Sequence, residues 1–216
     1  MSGEWAALGD IRQRALDAAR SAFDLEIAAL VGFSQRLDAQ IESAFPILYG
    51  CEGRIVVTGI GKSGLVGQKI AATLSSTGSP AFFIHSVEAL HGDSGVVLPG
   101  DVMIAISNSG STTEVCAFAE FAIGIGVPII AVVGRADSLL ARLSTAVVDV
   151  SVPREADPLN LAPTSSTTVT MVIGDVLASA LMAARNFTAT DFGIRHPGGA
   201  LGARTASSSS AELGSL

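Results

Sequence analysis

Five short apolar runs recur along the chain, each long enough for one β-strand and each separated from the next by a segment of helix length. They cover residues 54–58, 81–84, 102–106, 129–133 and 147–150. An alternation of strand-length and helix-length segments is typical of parallel strands joined by helical crossovers. The sequence therefore predicts one α/β domain, a three-layer α/β/α sandwich around a five-stranded parallel sheet.

Helical segments flank these runs. Between about residues 10 and 45, apolar side chains recur at three- and four-residue spacing, which predicts one or two amphipathic helices that end at Pro46. We expect residues 1–46 to be a helical segment of the same domain and residues 47–204 to be its main part. Residues 165–185 predict a long core helix behind a hydroxyl-rich cap. The polar, serine-rich stretch 205–216 predicts a disordered tail.

Charge and cysteine content exclude several classes of function. The chain has 13 Lys and Arg against 20 Asp and Glu, a net charge of −7, so it lacks the basic surface that nucleic acids require. Two distant cysteines, Cys51 and Cys116, indicate neither a disulfide framework nor a zinc site. The acidic N-terminus is unlike a signal peptide, and the apolar stretch 169–184 is interrupted by Asp175 and falls short of a membrane span. We expect a cytoplasmic protein that binds no nucleic acid and no membrane.

A glycine-rich turn follows the first predicted strand. Its sequence, GIGKSG at 59–64, matches GxGxxG, but a dinucleotide site also needs an acidic residue about twenty positions on, where this chain has His85. A Walker A loop needs a glycine at the position of Val56, so that interpretation fails as well. Two interpretations remain. The turn presents Lys62 and Ser63 at a helix N-terminus to a phosphate or an oxyanion, or it is a tight turn with a solvated lysine.

A hydroxyl-rich loop follows the third predicted strand and is the strongest local indication of a ligand site. The stretch SNSGSTTE at 107–114 opens a helix and offers several neutral donors, a combination suited to a phosphate group. A structural alternative is a capping box from Ser111 to Glu114. That alternative accounts for one serine and the glutamate but leaves Ser107 and Ser109 without a role.

Histidine and glutamate are the side chains best suited to proton transfer near neutral pH. The chain has three histidines, His85, His91 and His196, and a lone histidine is more often structural than catalytic. Glu155 follows the fifth predicted strand, so we expect it to face the crevice at the carboxyl ends of the strands. Its structural alternative is a solvated loop carboxylate paired with Arg154.

Five motifs, taken in order, resemble the sugar isomerase (SIS) domain of arabinose-5-phosphate isomerases. They are GIGKSG, FFIHSVEALHGD, AISNSGSTTEV, PREADPLNLAPTSSTTVTMVIGDVLA and FGIRHPGGALG, and they span about residues 54–203. The resemblance implies the SIS fold and an aldose–ketose isomerase that interconverts D-arabinose 5-phosphate and D-ribulose 5-phosphate through an enediol. The product of such an enzyme supplies 3-deoxy-D-manno-octulosonate for lipopolysaccharide. No cofactor is implied.

The resemblance also implies which residues form the site. His91 is the leading candidate for ring opening or enediol proton transfer, with Glu114 or Glu155 as its acid–base partner, while His196 completes the site and Lys62 stabilises negative charge. The residues expected to bind substrate are Gly61, Ser63, Ser107, Asn108, Ser109, Thr112, Ser165 and Ser166. No resident metal is expected, and a divalent ion trapped by the lysine, histidine and glutamate side chains is expected to be adventitious or inhibitory.

Two other functions are weighed against this one. A non-catalytic phosphosugar sensor needs the phosphate loop but not His91, Glu155 and His196, so the joint presence of these residues favours an enzyme. The sequence excludes less firmly an isomerase of another phosphosugar, such as a heptulose or hexulose phosphate. Full-length relatives continue after HPGGALG into a paired cystathionine-β-synthase-type (CBS) module, where this chain has its serine-rich stretch. We expect catalysis without that module, because every catalytic motif precedes this point. The resemblance further implies a homotetramer with shared active sites, in which His196 enters a neighbour's pocket.

Overall fold

The five apolar runs form one parallel β-sheet in the structure, a computed structural model that describes residues 9–198. The strands are β1 (Ile55–Gly59), β2 (Ala81–His85), β3 (Val102–Ser107), β4 (Ile129–Val133) and β5 (Ala146–Asp149). Their order across the sheet is β2-β1-β3-β4-β5, and every neighbouring pair is parallel. The predicted sheet is confirmed, with strand ends displaced by one residue at most.

Eight α-helices connect or flank the strands in the described part of the chain. They are α1 (Gly9–Ser34), α2 (Leu37–Tyr49), α3 (Gly61–Ser76), α4 (Ser86–Leu90), α5 (Thr113–Gly124), α6 (Leu139–Leu143), α7 (Ser165–Ala184) and α8 (Ala189–Arg195). A short 3-10 helix, Asp93–Val96, lies between α4 and β3. The predicted core helix is thus confirmed as α7. The stretch 205–216, predicted to be disordered, lies outside the described residues.

Each face of the sheet has its own hydrophobic core. On one face, Val57, Ile104 and Val132 pack with buried side chains of α1, α2, α3 and α7. On the other face, Met103 and Ala131 pack with buried side chains of α4, α5 and α6. Successive residues of a strand point to opposite faces, so a strand covered on both sides must be apolar throughout. The predicted three-layer α/β/α sandwich is confirmed.

Pro46 does not end the N-terminal helices, contrary to the expectation from the sequence. It lies inside α2, which continues to Tyr49. Proline removes one N–H donor from a helix, but its own carbonyl still accepts a bond, and here the N–H of Gly50 donates to it at 3.0 Å. Ala44 and Leu48, on either side of the proline, are fully buried. Their packing holds the last turn in helical form.

Helix α7 is long and apolar enough to cross a membrane, the one helix of which this holds among residues 9–198. The expectation that this stretch falls short of a span is therefore wrong as regards length and composition. In the fold, α7 packs against α1, α2 and α3. Its side chains at Val169, Ile173, Leu177 and Leu181 are buried at the spacing of one helix face. The expected buried core helix is confirmed.

The strand order creates a crevice at the carboxyl edge of the sheet. From β1 the chain moves to β2 on one side, and from β3 it moves to β4 on the other. Helices α3 and α5 accordingly leave the carboxyl ends of adjacent strands and pack on opposite faces. Doubly wound sheets bind their ligands at such a reversal of strand order. The β1–α3 and β3–α5 loops therefore flank the expected site.

Phe118→Ala should lower the free energy of unfolding by about 3–5 kcal/mol, because a large aromatic side chain leaves a cavity when it is removed from a core. Phe118 is fully buried in the core beneath α5. Phe121 lies on the same helix but is 38% exposed, so Phe121→Ala is the matched control and should cost about 1 kcal/mol. Urea denaturation followed by circular dichroism measures both, and equal losses would contradict the described packing.

Candidate functional site

Close packing of β1 against the first turn of α3 accounts for the glycine-rich turn. A Cβ on Gly64 would lie 2.9 Å from the carbonyl oxygen of Gly59, and Gly61 has a φ of +60°, which favours glycine. The helix thus begins directly at the end of the strand, with its first N–H groups at the crevice. Ser63 is half-buried there, and Lys62 lies in solvent beside it.

The β3–α5 loop holds its hydroxyl groups in a defined arrangement. Ser107 is buried, its Oγ lies 2.8 Å from Oγ1 of Thr112, and it accepts a bond from the N–H of Gly110 at 3.1 Å. The Oγ of Ser109 accepts bonds from the N–H and the Oγ of Ser111, at 3.3 and 3.2 Å. Because Ser109 acts as an acceptor in both bonds, its own hydroxyl hydrogen is free to donate to a ligand.

Helix α5 begins without the capping box that was the structural alternative for this loop. Thr112 is the N-cap, and within the described residues no side chain caps the helix. Ser111 lies outside the helix, so the suggested pair with Glu114 does not form. The first N–H groups of α5 therefore point into the crevice without a side-chain partner. Glu114 is half-buried in the first turn, and among residues 9–198 no hydrogen bond or ion pair engages its carboxylate.

Glu155 caps α7. Its carboxylate accepts bonds from the N–H and the Oγ1 of Thr164, at 2.8 and 3.1 Å, and from the N–H of Ser166 at 3.2 Å. The Oγ of Ser166 donates to it as well. Partial burial acts to raise the pKa of Glu155, but these hydrogen bonds outweigh it and the pKa lies below its ordinary value. The alternative of a pair with Arg154 is wrong, because Arg154 Nε donates to the main-chain carbonyl of Glu155.

The loop that carries Glu155 is braced by two residues that the sequence analysis missed. The carboxylate of Asp157 accepts main-chain N–H bonds from three residues farther along the loop, at 2.8–2.9 Å. Partial desolvation acts to raise the pKa of Asp157, and these bonds lower it overall. Asn160, at a φ of 55°, accepts the N–H of Glu155 at 2.7 Å. The signal available in the sequence was the tendency of Asp and Asn to bond their own backbone in turns.

Two adjoining cavities at the carboxyl edge bring several predicted residues together. One of about 300 Å³ is lined by Asn108, Ser109, Gly134, Arg135, Val152, Pro153, Arg154, Glu155 and Asn160. A smaller one is lined by Ser63, Val66, Asn108, Val132, Val150, Pro163, Ser166, Thr167 and Thr170. The guanidinium groups of Arg135 and Arg154 were not predicted. Arg135 lies two residues after β4, so the reasoning from strand ends could have found it.

The two predicted serines of α7 occupy different surroundings. Ser166 lines the smaller cavity and donates to Glu155. Ser165 is fully buried, and within the described residues its Oγ has no hydrogen-bond partner. It lines neither of the two cavities. Ser166 is therefore the one of the pair that faces the crevice. Among residues 9–198, no three His, Cys, Asp or Glu side chains converge closely enough to hold a metal ion.

His91 lies on the flank of the sheet, outside the two crevice cavities. It follows α4 beside the edge strand β2 and is exposed. From there the chain runs towards the amino edge of the sheet, where the carbonyl of Val96 accepts a bond from Arg54, the residue before β1. His85 has a structural role, since its Nδ1 accepts the N–H of Val87 at 3.4 Å and so caps α4.

His196 lies at the opposite edge of the sheet from the crevice. It directly follows α8, whose last residue is Arg195. Arg195 lines a cavity together with Ser76, the last residue of α3, and Pro80, which directly precedes β2. Helix α3 has 16 residues, so its two ends are about 24 Å apart. Lys62 is at the other end. One chain therefore brings Ser63, Asn108, Ser109, Glu155 and Ser166 together, with Lys62 and Glu114 nearby, but not the two histidines.

Residues 47–180 match the model of the SIS domain. Arabinose 5-phosphate isomerase KdsD of Pseudomonas aeruginosa is 49% identical over 189 residues, and that of Escherichia coli K12 is 48% identical over 185 residues. These matches cover 88% and 86% of this chain but 58% and 56% of the relatives, so the chain spans little more than half of their length. The solved structure of E. coli CFT073 c3406 in complex with arabinose 5-phosphate has a TM-score of 0.80 and 38% identity, covering 86% of this chain and 99% of that chain.

Glu155→Gln should lower the thermal stability of the domain near neutral pH, and it should make the Tm depend less on pH in the acid range. A carboxyl whose pKa is lowered by folding stabilises the protein above its ordinary value of 4.5, and this contribution disappears as the pH falls through the lowered value. The Tm should drop by roughly 2–4 °C at pH 7, and the variant and parent curves should converge below about pH 4.5. Scanning calorimetry from pH 3 to 7 measures this, with Glu120→Gln, exposed on α5, as the control. Parallel curves at all pH values would contradict the cap.

Proposed function

This chain belongs to the SIS-domain family, whose model its residues 47–180 match, and we propose that it is an aldose–ketose isomerase acting on D-arabinose 5-phosphate. It interconverts this aldose phosphate and D-ribulose 5-phosphate. The observation that carries the proposal is the carboxyl-edge crevice, in which neutral donors, two arginines and the carboxylate of Glu155 meet. Relatives named arabinose 5-phosphate isomerase KdsD support the substrate. We also propose a cytoplasmic enzyme that supplies 3-deoxy-D-manno-octulosonate for lipopolysaccharide.

The phosphate group binds to the β3–α5 loop in this proposal. Asn108 and Ser109 belong to this loop and line the larger cavity. The uncapped N-terminus of α5 adds main-chain N–H donors with a partial positive charge. Arg135 and Arg154 on the cavity wall offset the negative charge of the phosphate. Neutral donors of this kind bind the substrate and the transition state equally, so they lower KM more than they raise kcat.

The isomerisation moves one carbon-bound proton and one hydroxyl proton. A base removes the proton from C2 of the open aldose, an enediolate forms with its charge on O1, and the base returns the proton to C1, while the proton of the O2 hydroxyl passes to O1. Lys62 stabilises the oxyanion. Glu114 is the better candidate for the carbon base, because its half-buried carboxylate has no partner within residues 9–198. Glu155 is held by Thr164 and Ser166 instead.

The histidines complete the site in an oligomer. His196 lies at the amino edge of its own subunit, so it reaches a crevice only if a second subunit brings that edge next to it. Helix α1 exposes an apolar stripe formed by Phe23, Ile27 and Val31, whose exposed fractions are 68%, 45% and 56%. A stripe of this kind favours a contact with another copy of the chain. With α8 forming a second contact, the assembly we propose is a homotetramer with shared active sites.

Ser109→Ala should raise KM for D-arabinose 5-phosphate about tenfold and leave kcat nearly unchanged, since it removes a neutral donor to the phosphate. The assay measures ketose formation from arabinose 5-phosphate and from a panel of other aldose phosphates. Ser179→Ala is the control, because Ser179 is exposed on α7 and bonds only its own helix within the described residues. A loss confined to kcat would contradict the phosphate role.

The same panel separates the competing functions. Turnover of another aldose phosphate in preference to arabinose 5-phosphate would identify a different isomerase. Binding of sugar phosphates without turnover would indicate a sensor. His91→Ala should abolish most turnover while leaving the fold intact, if His91 moves protons at the site; its exposure on the sheet flank means that no core contact is lost.

Mixed oligomers of Lys62→Ala and His196→Ala chains should regain activity that neither variant has alone. If His196 enters a neighbour's crevice, about one quarter of the sites in a random mixture carry both wild-type side chains. The chains are unfolded together and reassembled, and turnover per site is compared with the wild type. Lys62→Ala mixed with the double variant is the control and cannot form a complete site. An inactive mixture proven to be hetero-oligomeric would show that both residues act within one chain.

A further inference from the structure

Helix α8 is a short helix with a well-formed start. Thr188 and Asp191 make a capping box, in which Asp191 accepts the N–H of Thr188 at 2.9 Å and Thr188 Oγ1 accepts the N–H of Asp191 at 3.1 Å. Hydrogen bonds from the side chain and the N–H of Thr188 lower the pKa of Asp191. The box satisfies donors that the helix start otherwise leaves free. The helix therefore holds the residue that follows it, His196, in a defined place.

The imidazole of His196 makes two contacts with Phe192, one turn earlier. The two rings are stacked, with centroids 3.8 Å apart and planes 16° from parallel. The Nδ1 atom lies 2.9 Å from the main-chain carbonyl oxygen of Phe192. A carbonyl oxygen can only accept, so Nδ1 carries the hydrogen. In a neutral imidazole the other nitrogen, Nε2, then carries the lone pair.

We propose that Phe192 is a positioning residue that fixes the tautomer of His196 and presents its Nε2 to the sugar phosphate in a neighbouring subunit's crevice. This inference rests on the proposed function and the shared site. The stacked ring prevents the imidazole from turning about its side-chain torsions, which keeps Nδ1 within reach of the carbonyl. The Nδ1 bond persists in the neutral and in the protonated ring, because the carbonyl accepts a hydrogen from either.

Proton transfer by His196 therefore takes place at one atom, Nε2. Nε2 takes the proton from the O2 hydroxyl of the enediolate and gives it to O1, so the histidine finishes in the state in which it began. The carbon-bound proton moves separately, through the carboxylate base. Without the stacked ring the imidazole samples both tautomers and several orientations, and only a fraction of sites have Nε2 ready to accept.

Solid-state 15N NMR of the histidine-labelled oligomer reads the tautomer directly, since the protonated and unprotonated ring nitrogens have widely separated shifts. The His196 signals are assigned by their loss in His196→Ala. The wild type and Phe192→Tyr, which keeps the aromatic ring, should show one tautomer with hydrogen on Nδ1. Phe192→Leu keeps the bulk but not the stack, and should show a mixture. Ile123→Ala, which truncates a 45% exposed apolar side chain on α5, is the matched control and should match the wild type.

Kinetics test whether the tautomer matters. Phe192→Leu should lower kcat about tenfold with little change in KM, part of the 10²–10⁴-fold contribution typical of a positioned acid or base, and Phe192→Tyr should restore it. In a His196→Ala background, Phe192→Leu should have no further effect, because coupled residues are not additive. An unchanged tautomer in Phe192→Leu, or equal losses with and without His196, would overturn the proposal. If the wild type turns over no sugar phosphate, the proposed function fails, while the NMR result still decides the role of Phe192 in holding the ring.

Discussion

Burial of both faces of the parallel sheet is the constraint on which the rest of this structure depends. Each strand offers apolar side chains to two sides, so helices must cover both, and the chain does this with α1, α2, α3 and α7 on one face and α4, α5 and α6 on the other. Because all five strands run parallel, every crossover between them starts at the same edge of the sheet. The loops of the candidate site gather there because of this topology, independently of any ligand.

At that edge, polar groups divide into those that hold the backbone and those that remain free. Glu155, Asp157 and Thr164 are engaged in bracing a loop and the start of α7. In contrast, the hydroxyl hydrogen of Ser109 and the carboxylate of Glu114 have no protein partner in the described part of the chain. A ligand can only use the second group without breaking the fold. This division separates binding and catalytic candidates from structural ones better than residue type does.

The length of one α-helix is the physical basis of the proposed shared site. Helix α3 carries the chain from the crevice to the opposite edge, and α8 packs near its far end, so Lys62 and His196 are separated by about the full 16-residue helix. No rotation of side chains can bridge such a distance. A residue that follows α8 can act at a crevice only in an assembly, and within its own chain His196 is held by stacking on Phe192 and by the contact of its Nδ1 with the carbonyl of that residue.

The sequence by itself determined the layers, the parallel sheet and the loops at its carboxyl edge. The reason is that the spacing of apolar residues along the chain reflects the local geometry of strands and helices and which of their faces are buried. It also indicated Ser63, Asn108 and Ser109, which follow strand ends. It could not decide that Glu155 caps α7, that Pro46 stays within a helix or that His196 lies at the far edge. Those outcomes depend on contacts between residues distant in sequence, and only the tertiary structure brings such residues together or keeps them apart.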